Sequence, residues 1–273
     1  MSFKQQLSCT IMVLAFSFIG LISKAQQAGG DQNKVATQEP AKYTKLIWSD
    51  EFNKDGAPDS AKWGYELGNG PDGWGNRELE FYTNRPENSI VKDGVLKIKA
   101  IKENYQGYTF TSAKLVSTNK FVFQYGRVEL SAKLPEGVGT WPAVWMMGSN
   151  VSSVGWPLCG ELDIMEARGS EPNKIFGTLH YPGRCGGNAD GGTTMITGAS
   201  TGFHTYSMEW SPSAIKISVD GKLFHTVLNS ASTSFNHDFY LIMNLAIGGF
   251  FAGAVDPAIT NATFEVDYVR VYR

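Results

Sequence analysis

The stretch Gly160-Glu161-Leu162-Asp163-Ile164-Met165-Glu166 puts three carboxylates into six consecutive positions among apolar side chains. In an extended strand successive side chains point to opposite faces, so Glu161 and Asp163 share one face while Leu162 and Ile164 take the other. Glu166 falls out of phase in a regular strand. One extra residue absorbed in a β-bulge at Ile164 or Met165 restores the phase and brings all three acids to one side.

The same period of two recurs on either side of this segment. Leu96, Ile98 and Ala100 alternate with Lys97 and Lys99, which predicts a half-buried strand. Ile215, Ile217 and Val219 alternate with Lys216 and Ser218. Asp220-Gly221 then supplies a hairpin turn before a partner strand over Leu223 to Val227. Phe239 to Ile247 is a near-continuous apolar run, as expected of a strand buried on both faces. Near the C-terminus Phe264, Val266 and Tyr268 are expected to face away from Glu265 and Asp267. Many short strands punctuated by Gly, Pro and Asp-Gly, with room only for short helices, predict an all-β antiparallel sandwich.

Composition narrows the classes of function. With 24 Lys+Arg against 26 Asp+Glu the formal net charge is −2, which lacks the basic excess of a dedicated nucleic-acid binder. Hydrophobic residues at 42% and charged residues at 18% exclude a disordered chain. The 273 residues suffice for a stable core without disulfides. The abundance of Gly and of aromatic residues predicts many tight turns and an aromatic-rich interior or binding face.

Three regions are expected. Residues 1–25 read as a signal peptide: Lys4 supplies the positive start, Cys9 to Ile22 the apolar stretch, and Ser23-Lys24-Ala25 the small-x-small cleavage pattern. Residues 26–42 are a flexible polar leader, and 43–273 a single domain without repeat or internal linker. The mature protein would be periplasmic or secreted, with no membrane span after cleavage. Cys159 and Cys185 would then remain, and they could form one disulfide or stay as two thiols. Without a His cluster nearby, they do not make a zinc site.

The acidic cluster could be an ordinary acidic solvent face. Thr140-Trp141-Pro142-Ala143-Val144-Trp145 just upstream points instead to a sugar site, because indole faces stack on pyranose rings while carboxylates bond hydroxyls. Glycoside hydrolysis needs one protonated acid at the leaving oxygen and one carboxylate at the anomeric centre or its water. A third acid between them can hold a proton and separate their pKa values.

At these residues the chain resembles glycoside hydrolase family 16, and within it the bacterial laminarinase-like endo-β-1,3-glucanases. The signature Glu161-Leu-Asp163-Ile-Met165-Glu166 carries the inserted residue of the bulged form. The likeness continues through Leu46-Ile-Trp48-Ser-Asp50-Glu51-Phe52, Gly73-Trp74-Gly-Asn76-Arg77-Glu78, Tyr125-Gly-Arg127, Gly139-Thr-Trp141-Pro-Ala-Val-Trp145, Gly177-Thr-Leu-His180-Tyr and Val266-Asp267-Tyr-Val-Arg-Val-Tyr272. It spans residues 43–273.

The resemblance implies a β-jelly-roll of two curved antiparallel sheets (concanavalin-like) with a substrate cleft, and retaining hydrolysis by double displacement without a catalytic cofactor. Glu161 would be the nucleophile, Glu166 the general acid/base, and Asp163 the proton-sharing residue between them. Trp141 and Trp145 would line the subsites beside the scissile bond. Trp74, Asn76 and Glu78 would border the non-reducing side of the cleft, and His180 would flank the acid on the leaving-group side. Arg127 reads as structural, pairing with an acid below the cleft. A structural calcium ion would sit on Glu51, Gly94 and Asp267, since oxygen ligands suit that ion.

The Gly-rich loop 183–192 lacks the GK[ST] of a phosphate cradle and reads as a mobile cleft rim. Gly248-Gly249-Phe250-Phe251 departs from the Asn or Trp that the family places after this Gly pair. The expected partner is a β-1,3-glucan of the laminarin type, bound by a monomer. Mixed-linkage β-1,3-1,4-glucan, a marine galactan, transglycosylation, or a non-catalytic glucan-binding lectin on the same fold are the alternatives.

Overall fold

The structure is a computed structural model that describes residues 43–273, so the expected signal peptide (1–25) and polar leader (26–42) lie outside the described residues. Two sheets form the sandwich. The seven-stranded sheet runs, in spatial order, through Asp190–Met195, Lys174–His180, Glu161–Glu166, Thr140–Gly148, Phe239–Ile247, Lys114–Val116 and Gly64–Tyr65. The ten-stranded sheet has a main path from Lys222–Leu228 through Ala214–Val219, His204–Trp210, Gly126–Lys133, Asn261–Tyr272, Val95–Tyr105 and Tyr108–Ser112 to Glu80–Tyr82. Leu46–Asp50 and Ser89–Lys92 attach to its sides. Pairing is antiparallel except between Glu80–Tyr82 and Tyr108–Ser112. Among the described residues the α-helices are two single turns, Val151–Val154 and Gly249–Ala252, beside a wide turn at Gly73–Arg77 and a 3-10 turn at Gly186–Asn188.

Sheet alternation builds the core. Leu96, Ile98 and Ala100 from one sheet meet Val144, Met146, Leu162 and Ile164 from the other, all of them buried. The hairpin turn forms at Asp220-Gly221, where φ is +49° and +72°. Left-handed dihedrals at both central residues match the twist of the flanking strands. Phe239–Ile247 is buried at all nine positions. Phe239, Leu241, Met243, Leu245 and Ile247 enter the main core, whereas Tyr240 and Ile242 join Val116, Trp145 and Met147 on the opposite face. That face carries the site.

One expected alternation breaks. Register shifts between Val266 and Tyr268, so Val269 and Val271 take the core positions after Phe264 and Val266. The extra residue, Asp267, turns Tyr268 outward, where its hydroxyl donates to Glu129 at 3.2 Å and Arg270 stacks on its ring. Cys159 is a buried free thiol 3.4 Å from the Met147 sulfur, so the bridge to Cys185 is not formed. Burial, reinforced by the charge of Glu161, pushes that thiol up to about 11 and keeps it unreactive.

Gly148 ends the strand that carries Trp141 and Trp145. A Cβ there would stand 2.0 Å from the Cys159 carbonyl oxygen, a main-chain atom fixed by the approach to Glu161. Gly148→Ala is therefore expected to destabilise the domain by about 1–3 kcal/mol through overpacking, visible as a lower melting temperature.

Candidate active site

The bulge expected in the acidic strand is present. Asp163 pairs with Trp145 and Met165 with Val144, which leaves Ile164 as the extra residue. Leu162, Ile164 and Met165 enter the core, and the three acids are gathered around His180. His180 Nε2 stands 3.3 Å from Asp163 Oδ2 and 3.9 Å from Glu161 Oε1. It pairs across the ladder with Glu161. His180 thus stands closest to Asp163 and Glu161, and its charge also reaches Glu166.

Each acid has a different environment. Glu161 is partly accessible and accepts a hydrogen bond from Trp156 Nε1 at 2.7 Å. Asp163 is 2% exposed, and burial, with Glu166 and Glu161 adding charge repulsion, holds its carboxyl well above the usual carboxylate range. Glu166 accepts from Trp141 Nε1 at 3.0 Å and from Thr178 Oγ1 at 3.3 Å. Burial nevertheless raises its pKa to about 7, against the lowering effect of His180 and the Trp141 bond.

His180 is pulled in two directions. Burial alone would lower its pKa, but its bond to Asp163 and the charges of all three acids raise it to about 9. Gly186 N–H donates to Nδ1 at 3.1 Å, a bond that an imidazolium cannot accept. The Gly-rich loop is thereby tied to the acidic cluster through the ring that the acids seek to protonate.

Aromatic side chains form the walls. Trp141 packs on Phe251 at 4.9 Å between centroids, and Phe251 meets Phe176 edge-on. The aromatic pair after Gly248-Gly249 therefore backs the indole beside Glu166. Trp145 donates through Nε1 to Asn244 Oδ1 at 2.8 Å. The loop at Gly73–Arg77 winds through left-handed dihedrals at Trp74, Gly75 and Arg77, and Trp74 reaches back toward the sheet. The Lys114 ammonium lies 4.0 Å from the Trp74 ring centroid and 5.1 Å from that of Trp145, and pairs with Glu66 at 2.7 Å. Asn76 and Glu78 bond to each other at the end of this loop. Glu78 is 8% exposed, and its oxygens accept from Asn76 Nδ2 and Tyr82 Oη, each at 3.0 Å.

Comparison with known proteins agrees with this geometry. The family model for glycosyl hydrolases family 16 matches residues 76–270. The chain belongs to glycosyl hydrolase family 16. The beta-glucanase of Rhodothermus marinus is 43% identical over 251 residues, covering 86% of this chain and 87% of that protein. The glucan endo-1,3-beta-glucosidase A1 of Niallia circulans is 38% identical over 293 residues, covering 94% of this chain. The match takes in only 42% of that longer protein. The X-ray structure of the laminarinase from Rhodothermus marinus superposes with a TM-score of 0.80 at 43% identity, covering 85% of this chain and 97% of that one.

The calcium set that the family-16 likeness suggests does not fit through the Glu51 side chain. Both Glu51 carboxylate oxygens are held by the Arg270 guanidinium, at 3.0 and 2.7 Å. A cation there would have to rest on Asp267 and main-chain carbonyls such as that of Gly94, and no chemistry below depends on it. Among the described residues, the one group of three or more His, Cys, Asp or Glu side chains close enough to share an ion is Glu161, Asp163 and His180, which is part of the acidic cluster itself. Arg127 pairs with Glu129 in the other sheet, as its structural reading required.

Trp156, Thr178, Asn244 and Lys114 were not singled out by the sequence. A signal existed for Trp156, an indole in a loop five residues before an acid. It is 47% exposed, with its ring 5.8 Å from His180. Trp156→Phe keeps the ring and removes the donor to Glu161. Loss of a hydrogen bond to a charged group is expected to lower kcat/KM by roughly ten- to a hundredfold, with the fold intact by circular dichroism.

Proposed function

We propose that this chain is a retaining endo-β-1,3-glucanase of the laminarinase type, with Glu161 as nucleophile and Glu166 as general acid/base. The observation that carries the reading is the contrast between these two glutamates. Glu161 is reachable from solvent and stabilised by the Trp156 N–H, whereas Glu166 is buried and keeps its proton up to about pH 7. Environments that push two carboxyl groups apart assign the base and the acid.

A glucan segment stacked on Trp141 and Trp145 presents its anomeric carbon to Glu161. A Glu161 oxygen forms a bond to that carbon while the glycosidic C–O bond breaks. The leaving oxygen takes the proton of Glu166. Water then enters, Glu166 as carboxylate takes its proton, and the water oxygen displaces Glu161. The two inversions retain the β configuration. Asp163, neutral in its buried setting, keeps a second full charge from facing Glu161 and lets the proton redistribute as Glu166 changes state. Trp141 N–H and Thr178 hydroxyl hold the Glu166 carboxyl in place through both half-reactions.

The relatives are named for β-glucan hydrolysis, and the export expected of residues 1–25 would deliver the enzyme to polymer outside the cytoplasm. The described residues include no helix long and apolar enough to cross a membrane. The test is reducing-sugar release on laminarin, lichenan, agarose and carrageenan side by side, with chromatography of the products. A ladder of short β-1,3 oligomers from laminarin is expected. Activity confined to a galactan would overturn the specificity, and binding of laminarin without any cleavage would return the protein to the lectin class.

A further inference from the structure

A buried carboxyl that the reaction does not use sits behind the Trp74 loop. Glu80 is 0% exposed. Its Oε2 accepts from Ile247 N–H at 2.6 Å, and its Oε1 has no hydrogen-bond partner. The neighbouring Glu78 carboxyl accepts at both oxygens, from Asn76 Nδ2 and from Tyr82 Oη. The chain continues toward the cleft wall. Asn244 Nδ2 donates to Tyr82 Oη at 3.0 Å, and Asn244 Oδ1 accepts from Trp145 Nε1. Tyr82 thus accepts from Asn244 and donates to Glu78, whose two oxygens both accept, while the Glu80 Oε1 beside them is left without a donor.

We propose that Glu80 is a positioning residue: a permanently protonated acid whose Oε1–H donates to Glu78 and so fixes both the Asn76–Trp74 loop and the Trp145 wall. Two buried carboxylates side by side would repel, and an unpartnered buried oxygen carries its desolvation penalty uncompensated; a proton on Glu80 removes both penalties. Burial, followed by the charge of Glu78, holds the Glu80 carboxyl well above the usual carboxylate range, in keeping with that proton. The main chain follows the same anchor: Leu79 N–H donates to Ile247 O at 2.9 Å, and Glu78 bridges to Gly248. Gly73 leaves no room for a Cβ, which would come 2.4 Å from Glu78 N. The loop therefore has one seat, and the Glu78–Glu80 pair is its clasp. This assignment rests on the glucanase reading only for its effect on sugar binding.

Glu80→Gln supplies a neutral donor of the same shape, and Glu80→Leu supplies an apolar side chain of similar volume. Two readouts need no substrate. The infrared difference spectrum of wild type minus Glu80→Gln at pH 7 should show one neutral carboxylic acid band, over and above the absorption of Asp163 and Glu166 that both proteins share. Limited trypsin digestion should cut after the exposed Arg77 about tenfold faster in Glu80→Leu than in the wild type, and no faster in Glu80→Gln, since local opening sets the cleavage rate. With laminarin oligomers, Glu80→Leu should raise KM about tenfold at nearly unchanged kcat, and Glu80→Gln should restore it, the pattern of lost uniform binding. An unchanged infrared band would place the proton elsewhere and overturn the proposal. So would a Glu80→Leu loop as protected as the wild type, or a Glu80→Gln as impaired as Glu80→Leu. If Glu80→Leu does not fold, the Glu80→Gln band and its digestion rate still decide. A wild type that shows the band and the protected loop but does not cleave laminarin would sink the glucanase reading and leave the clasp standing.

Discussion

Glu161→Gln is expected to abolish glucan hydrolysis while leaving the domain folded and able to bind laminarin. An amide cannot form the glycosyl ester, so kcat/KM should fall on the order of 10⁴-fold or more. The fold should tolerate the change because Glu161 is partly exposed, and its bond from Trp156 Nε1 can pass to the amide oxygen of Gln. Reducing-sugar release measures the first effect and affinity electrophoresis in laminarin gels the second. Wild-type turnover in this variant would remove Glu161 as nucleophile.

The second large effect concerns Glu166. Because burial raises its pKa to about 7, kcat/KM is expected to fall about tenfold per pH unit above that value, as the general acid loses its proton. Glu166→Gln should abolish that alkaline limb and cost roughly 10²–10⁴-fold on laminarin. Its first half-reaction should recover with aryl glucosides whose leaving groups need no protonation. The raised pKa also acts on stability. The folded state holds this proton more tightly than the unfolded one, so Glu166 weakens the fold progressively as pH rises from its ordinary 4.5 toward about 7. Glu166→Gln should therefore melt higher than the wild type at pH 8 and about equally at pH 4. An alkaline limb that survives the substitution would assign the acid to another group.

Much of the site was legible because function imposed a constraint on phase. Three acids spaced as Glu161, Asp163 and Glu166 could share a face only through a bulge, and the ladder shifts there. The bulge at Asp267 had no such marker. Nothing in Phe264 to Tyr272 forces its side chains to one side, so simple alternation misassigned Tyr268. Local patterns also conceal long-range partners. Glu51 read as a free oxygen donor because Arg270, which takes both of its oxygens, lies 219 residues away. Nothing in the local pattern marks Glu78 and Glu80 as buried. Their burial comes from Tyr82 and Asn244, two residues contributed by different sheets. The Glu161–His180 register, which sets the ring beside Asp163, was not readable from the order of motifs.

The central claim is double displacement by Glu161 and Glu166 on a β-1,3-glucan. Its most direct test is proton NMR of laminarin hydrolysis by the wild type, read before mutarotation scrambles the new reducing ends. The account predicts that β-anomeric ends appear first and that α ends grow in only later. α Ends at the earliest times would mean a single inverting displacement, and would contradict the assignment of Glu161 as the residue that bonds to the sugar.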